Sequence, residues 1–128
     1  MKIVQSDRAK IVVNSDTSKL LEYSMELNGK DVDFCINTII GRYPEKGYCT
    51  NEKCKEICYV LEGNGTINKK EEKIQFNQGD VILIDKEEVY YWDGNCKIIM
   101  ICTPAWYKEQ CKLLENYENN IWWRWKHT

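Results

Sequence analysis

The sequence predicts an all-β domain, a sandwich or barrel of many short strands followed by one C-terminal helix. Two observations carry this. Apolar and polar residues alternate over short runs, and Gly, Asn and Asp interrupt those runs about every eight to twelve residues. The length of 128 residues suits one domain with one core.

The elements follow in order. Leu21, Tyr23, Met25 and Leu27 alternate with polar residues, and Asn28-Gly29 offers a turn before the run from Asp33 to Ile40, so a hairpin is expected there. After a loop at Tyr43 to Lys46, strands are expected at Tyr48 to Asn51, Glu56 to Glu62, Thr66 to Asn68, Lys73 to Phe76, Val81 to Asp85, Val89 to Asp93 and Cys96 to Cys102. Gly63 and Gly65 are expected to turn the chain between two of these, and Gly79-Asp80 to reverse it before another. Thr103 can cap a helix and Pro104 suits its first turn, where a missing N–H costs nothing. The helix is expected at about 104–115, with Trp106, Gln110 and Leu113 on one side and Tyr107, Cys111 and Leu114 beside them. No linker or internal repeat divides the chain, which reads as a single domain over 1–128 with a barrel at about 33–103 and a Trp-rich tail at 121–128.

Composition excludes several classes. The formal charge of -2, from 18 basic and 20 acidic residues, is scattered and forms no stripe to neutralise a phosphate backbone, so no nucleic-acid partner is expected. No apolar run reaches the ~18 residues of a membrane span, and Met1 to Lys10 lacks the apolar centre of a signal peptide. A soluble cytoplasmic protein is the expectation. Seven cysteines, an odd number without an export signal, read as reduced thiols.

The most informative stretches are Glu56-Ile-Cys-Tyr-Val-Leu-Glu-Gly63-Asn-Gly65 and Phe76-Asn-Gln-Gly79-Asp80-Val-Ile-Leu-Ile-Asp85. Together they resemble the cupin family. The first has the family's glutamate, six residues and glycine around an apolar strand; the second has its Gly-Asp and apolar strand. The resemblance covers roughly Asp33 to Thr103 and implies a double-stranded β-helix, or jelly-roll, barrel. It also implies a tendency to dimerise, and a metal site that this chain has altered. The first-motif histidines would fall at Cys49 and Asn51 and the second-motif histidine at Tyr90, while the family's proline and second glycine become Asp85 and Glu87. The one histidine of the chain is His127, read as a solvated terminal side chain.

Strand alternation turns Glu56, Cys58 and Val60 inward on one strand, Tyr90 and Trp92 on another, and Cys49 and Asn51 on a neighbour. The expected pocket is therefore Cys49, Asn51, Glu56, Cys58, Tyr90 and Trp92. Three readings compete. In the first, Tyr90 or Asn51 satisfies Glu56 inside a filled barrel that binds nothing. In the second, the barrel recognises a small molecule, a sugar or an aromatic metabolite, without metal: Trp92 and Tyr90 stack its face while Glu56 and Asn51 hydrogen-bond it. In the third, the chain is an enzyme of the isomerase, epimerase or dioxygenase kinds that cupins host. It would use Glu56 as acid or base, or a divalent ion such as zinc held by Cys49 and Glu56 with Cys54 or Cys58. Loss of the histidines favours the second reading, with no cofactor.

Cys35, Cys96 and Cys102 read as small core residues. In the run Ile121-Trp122-Trp123-Arg124-Trp125-Lys126, three tryptophans are costly to leave in water. The tail is expected to pack on its own barrel, to cross to a second subunit or to sit at a membrane interface. Crossing within a homodimer is the reading preferred, because the stretch lacks the length and basic charge for a membrane.

Overall fold

The computed structural model describes residues 1–115, 122 and 123. A 3-10 turn at Ser6–Arg8 leads into β1 (Lys10–Ser15) and β2 (Ser18–Glu22), followed by a single helical turn, α1 (Ser24–Leu27). The remaining strands are β3 (Asp33–Tyr43), β4 (Tyr48–Asn51), β5 (Lys55–Asn68), β6 (Lys73–Asn77), β7 (Val81–Ile84), β8 (Tyr91–Thr103), β9 (Cys111–Leu114) and β10 (Trp122–Trp123). They form two antiparallel sheets. One has the order β1-β2-β3-β8-β5-β6, with β7 also pairing with β5; the other has the order β10-β9-β4. A bridge from Cys49 to Tyr90 joins the sheets, with N–H to O distances of 2.9 and 3.1 Å. This is the all-β cupin architecture.

Alternation builds the core. On β5 the side chains of Glu56, Cys58 and Val60 are buried while Ile57, Tyr59 and Leu61 between them are exposed. Ile39, Val60 and Ile98 are fully buried, and the rings of Phe76 and Trp92 meet edge to face at 5.6 Å.

The outer face of the larger sheet is unusual. Register places Val81, Tyr59, Ile99, Ile36, Leu21 and Ile11 side by side across six strands. A second apolar row, Leu83, Ile57, Ile101 and Phe34, runs beside it and ends where Tyr23 meets Phe34 edge to face at 5.5 Å. All of these side chains keep solvent exposure.

Three expectations are corrected. β5 is a continuous strand, so Gly63 and Gly65 do not reverse the chain, and β8 runs unbroken from Tyr91 to Thr103 where two strands were expected. Gly65 instead lies directly opposite Gly94, where the two backbones approach so closely that a Cβ on Gly65 would stand 2.5 Å from the Asp93 carbonyl oxygen and 2.8 Å from Phe76 Cζ. The Gly79-Asp80 turn does form. Its Asp80 carboxylate accepts from Asn77 N–H at 2.7 Å, and Gly79 has φ +90.

The C-terminal helix is absent. After β8 the Ala105 and Trp106 N–H groups donate to Lys30 O at 2.9 Å and Asp33 Oδ2 at 3.0 Å, and only a 3-10 turn at Lys108–Gln110 precedes β9. β4 needs a ladder partner, and β9 supplies it from Tyr48↔Leu114 to Asn51↔Cys111. Tertiary pairing thus overrides the local helix signals.

β2 does pair with β3, from Ser18↔Ile39 to Glu22↔Cys35, but Ser24–Leu27 is helical, so Asn28-Gly29 is not the apex of a tight hairpin. Strand β1 escaped the alternation test because Ile11, Val12 and Val13 are consecutive apolar residues on an edge strand. The Trp122 and Trp123 backbones pair with Leu114 and Leu113 of the same chain. Trp125, Lys126 and His127 lie outside the described residues.

Candidate functional site

Glu56 is the centre of the barrel interior. It is 7% exposed, and its carboxylate accepts from Asn51 Nδ2 at 3.0 Å, from the Tyr90 hydroxyl at 3.2 Å and from the Cys102 thiol at 3.2 Å. Each donor is delivered by a defined element. Asn51 ends β4, Cys102 stands opposite Glu56 in the β5–β8 ladder, and Tyr90 is fixed by its bridge to Cys49. Gln110 extends the network. Its Nε2 donates to Asn51 Oδ1 at 2.8 Å, while its Oε1 accepts the backbone N–H groups of Lys53 and Cys54 at 3.2 Å each.

All six predicted site residues are buried. Asn51, Glu56 and Tyr90 share direct hydrogen bonds, and the Cys49 thiol donates to the Tyr90 carbonyl at 3.5 Å. Trp92 stacks edge-on against Tyr90 at 6.3 Å without joining the polar network, and Cys58 packs in the apolar core. Sequence reasoning missed two members. Cys102 was assigned to packing alone, although its parity with Ile98 and Met100 on β8 turns it inward. Gln110 was placed on a helix, and no local pattern marks its inward role.

Burial sets the protonation states. It raises the Glu56 carboxyl above its ordinary 4.5, helped by the charge of Asp33 and opposed by the three donors, of which the Cys102 thiol opposes most. Burial likewise pushes the Cys49 and Cys58 thiols and the Tyr90 phenol well above their usual values. Burial thus favours the neutral form of each.

The residues at the positions of the cupin metal ligands are not the imidazole set that the family's site uses. The positions that would carry imidazoles hold a thiol, a carboxamide and a phenol, and the remaining carboxylate already accepts from three donors. Among the described residues, no group of three or more His, Cys, Asp or Glu side chains is arranged to share an ion.

A cavity of about 60 Å³ opens at one end of the barrel. Ile67, Phe76, Ile82 and Ile84 form its walls, Tyr90 reaches it from the interior, and Lys69 and Glu88 stand at the polar side, paired at 2.9 Å and about one third exposed. Glu56, Asn51 and Cys49 do not line it; Tyr90, which does, hydrogen-bonds Glu56.

Residues 44–98 match the family model of the EutQ-like cupin domain. Motif, topology and match agree on a cupin fold, with the family match confined to that stretch. No curated protein matches it by sequence. Among solved structures it is similar to Streptomyces PAC13, described as a unique nucleoside dehydratase, at 12% identity and TM-score 0.78, covering 90% of this chain and 92% of that one. It is also similar to KdgF from Halomonas sp., at 13% identity and TM-score 0.65 over 80% of this chain and 94% of that one. The polyketide cyclase RemF from Streptomyces resistomycificus matches at 14% identity and TM-score 0.65, over 80% and 79%. At such identities the likeness is one of fold. Among the described residues, no helix is long and apolar enough to cross a membrane.

Proposed function

We propose that this chain binds a small, planar, largely apolar metabolite without a resident metal, at the cavity beside Tyr90. The observation that carries the reading is the placement of Tyr90. It lines an apolar slot on one side and hydrogen-bonds a buried carboxyl on the other, while the Lys69–Glu88 pair offers charged groups at the rim. At about 60 Å³ the slot is smaller than the ~150 Å³ that encloses a benzene ring, so a ring enters by its edge and the rest of the ligand lies over the rim. Filled packing around Glu56 supports recognition at this mouth and not in the barrel centre.

Uridine, present in several PAC13 structures, is the first probe, alongside other nucleosides, sugars and aromatic acids. Binding is expected to raise the melting temperature of the wild type, and Ile82→Trp, which fills the slot, is expected to abolish that rise with the fold retained. If no compound of these classes stabilises the protein, or if Ile82→Trp responds like the wild type, the reading fails.

The Tyr90–Glu56 hydrogen bond also favours a second reading, an enzyme of isomerase or epimerase type. Tyr90 would exchange a proton with the ligand while Glu56 restores it. In that case Tyr90→Phe keeps binding and loses turnover.

A further inference from the structure

We infer that the ligand of the slot beside Tyr90 is a planar aromatic monocarboxylic acid, whose carboxylate takes the Lys69 ammonium from Glu88. This rests on the proposed binding at that slot and narrows it to one chemical class. The walls turn away the more polar alternatives. Ile67, Ile74, Phe76, Ile82 and Ile84 bring only hydrocarbon to the slot, and the Tyr90 hydroxyl already donates to Glu56. A sugar ring placed between them would give up hydrogen bonds to water and find few in return. The apolar wall also continues outward. Ile74 stands on the same side of β6 as the buried Phe76, yet it is 44% exposed, so hydrocarbon reaches the rim and can carry a ring that enters edge first.

The charges at that rim select the rest of the ligand. Lys69 begins the turn between β5 and β6, where its backbone N–H donates to Glu72 O at 2.8 Å, and Glu88 lies on the loop between β7 and β8. Their side chains meet beside the slot, with Lys69 Nζ donating to Glu88 Oε1 at 2.9 Å. The two partners are held differently. Glu88 has a second anchor, because its Oε2 accepts the Asp85 N–H at 2.8 Å and so closes its own loop. Lys69 carries its ammonium on a flexible four-carbon stem. An arriving carboxylate can replace Oε1 on Lys69 while Glu88 keeps its backbone donor and its access to water. An arriving ammonium has no such exchange, since it would set two cations on one carboxylate oxygen. Because both side chains are about one third exposed, the pair that is given up is worth little. The ring is then held by hydrocarbon and the acid by a charge-assisted hydrogen bond at the same rim.

The test is titration calorimetry of the full chain with three ligands of one shape: cinnamate, its neutral amide and the cationic cinnamylamine, at neutral pH and low salt. Cinnamate is expected to bind at least ~10-fold tighter than the amide, and the margin to shrink as salt is added. Lys69→Met is expected to bind acid and amide alike, and Lys69→Arg to keep the preference. Glu88→Gln retains an oxygen for the Asp85 N–H but gives up the competing charge, and is expected to widen the margin. Equal binding of acid and amide by the wild type, tighter binding of the amine, or a preference that survives Lys69→Met overturns the assignment. In those cases the slot itself still stands if Ile82→Trp abolishes binding of the ligand that is taken up. Binding of none of the three also overturns the assignment, and the slot reading falls with it only if the wider melting screen is negative as well.

Discussion

Glu56 shows how one buried acid makes stability depend on pH. Its three donors, Asn51, Tyr90 and the Cys102 thiol, favour the charged form, while burial most and the negative charge of Asp33 less strongly disfavour it. Because burial raises its folded-state pKa above the ordinary 4.5, the folded protein holds the proton more tightly than the unfolded chain. Its contribution is therefore fully present below about pH 4.5 and is lost as pH rises through the folded value. Glu56→Gln removes the titration and keeps an oxygen to accept from Asn51 and Tyr90. Urea unfolding between acid and neutral pH is expected to show wild-type stability falling relative to Glu56→Gln as pH rises. Parallel curves for the two proteins would mean that Glu56 is not perturbed.

At the scale of elements, the glycines carry the argument. Gly65 sits where β5 and β8 approach without a side chain between them, and any Cβ there meets the Asp93 carbonyl and the Phe76 ring. Gly65→Ala is expected to cost about 1–3 kcal/mol in chemical denaturation, as an overpacked site does; a neutral effect would show that the two strands can separate at this point. The same glycines show what the sequence makes legible and what it hides. Alternation on β5 and along the extended run that enters β8 correctly turned Glu56, Cys58, Tyr90 and Trp92 inward, because extended chain buries every second residue. Whether a glycine bends a chain back or lets two strands touch depends on the partner strand, which no local pattern names. Strand β9 was hidden for the same reason. Thr103-Pro104 looks like a helix start, yet the chain becomes a strand because β4 lies open beside it and Gln110 is drawn in to Asn51. Nor did residue spacing reveal that the interior around Glu56 is filled, since packing is a property of volumes and not of periodicity.

At the scale of the whole molecule, the described barrel is held by apolar packing and by a polar network around Glu56. The interior donors are a thiol kept protonated by burial, a phenol kept neutral, a carboxamide and a carboxyl with three partners, a set that would have to lose its hydrogen bonds before it could ligate. A resident divalent ion present at 100 times its dissociation constant would add about 2.7 kcal/mol. For a chain of 128 residues that is a melting shift on the order of 10 °C, easily measured. The expected outcome is that a strong chelator, or excess zinc, leaves the melting temperature of freshly purified, untagged protein unchanged. Elemental analysis is expected to find metal well below one equivalent, equally in the wild type, Glu56→Ala and Cys49→Ser. Near-stoichiometric zinc, iron or nickel that disappears in either variant would overturn this. It would show that Cys49 and Glu56 rearrange around an ion, and the enzyme reading would then rest on a metal centre and not on the Tyr90–Glu56 proton pair.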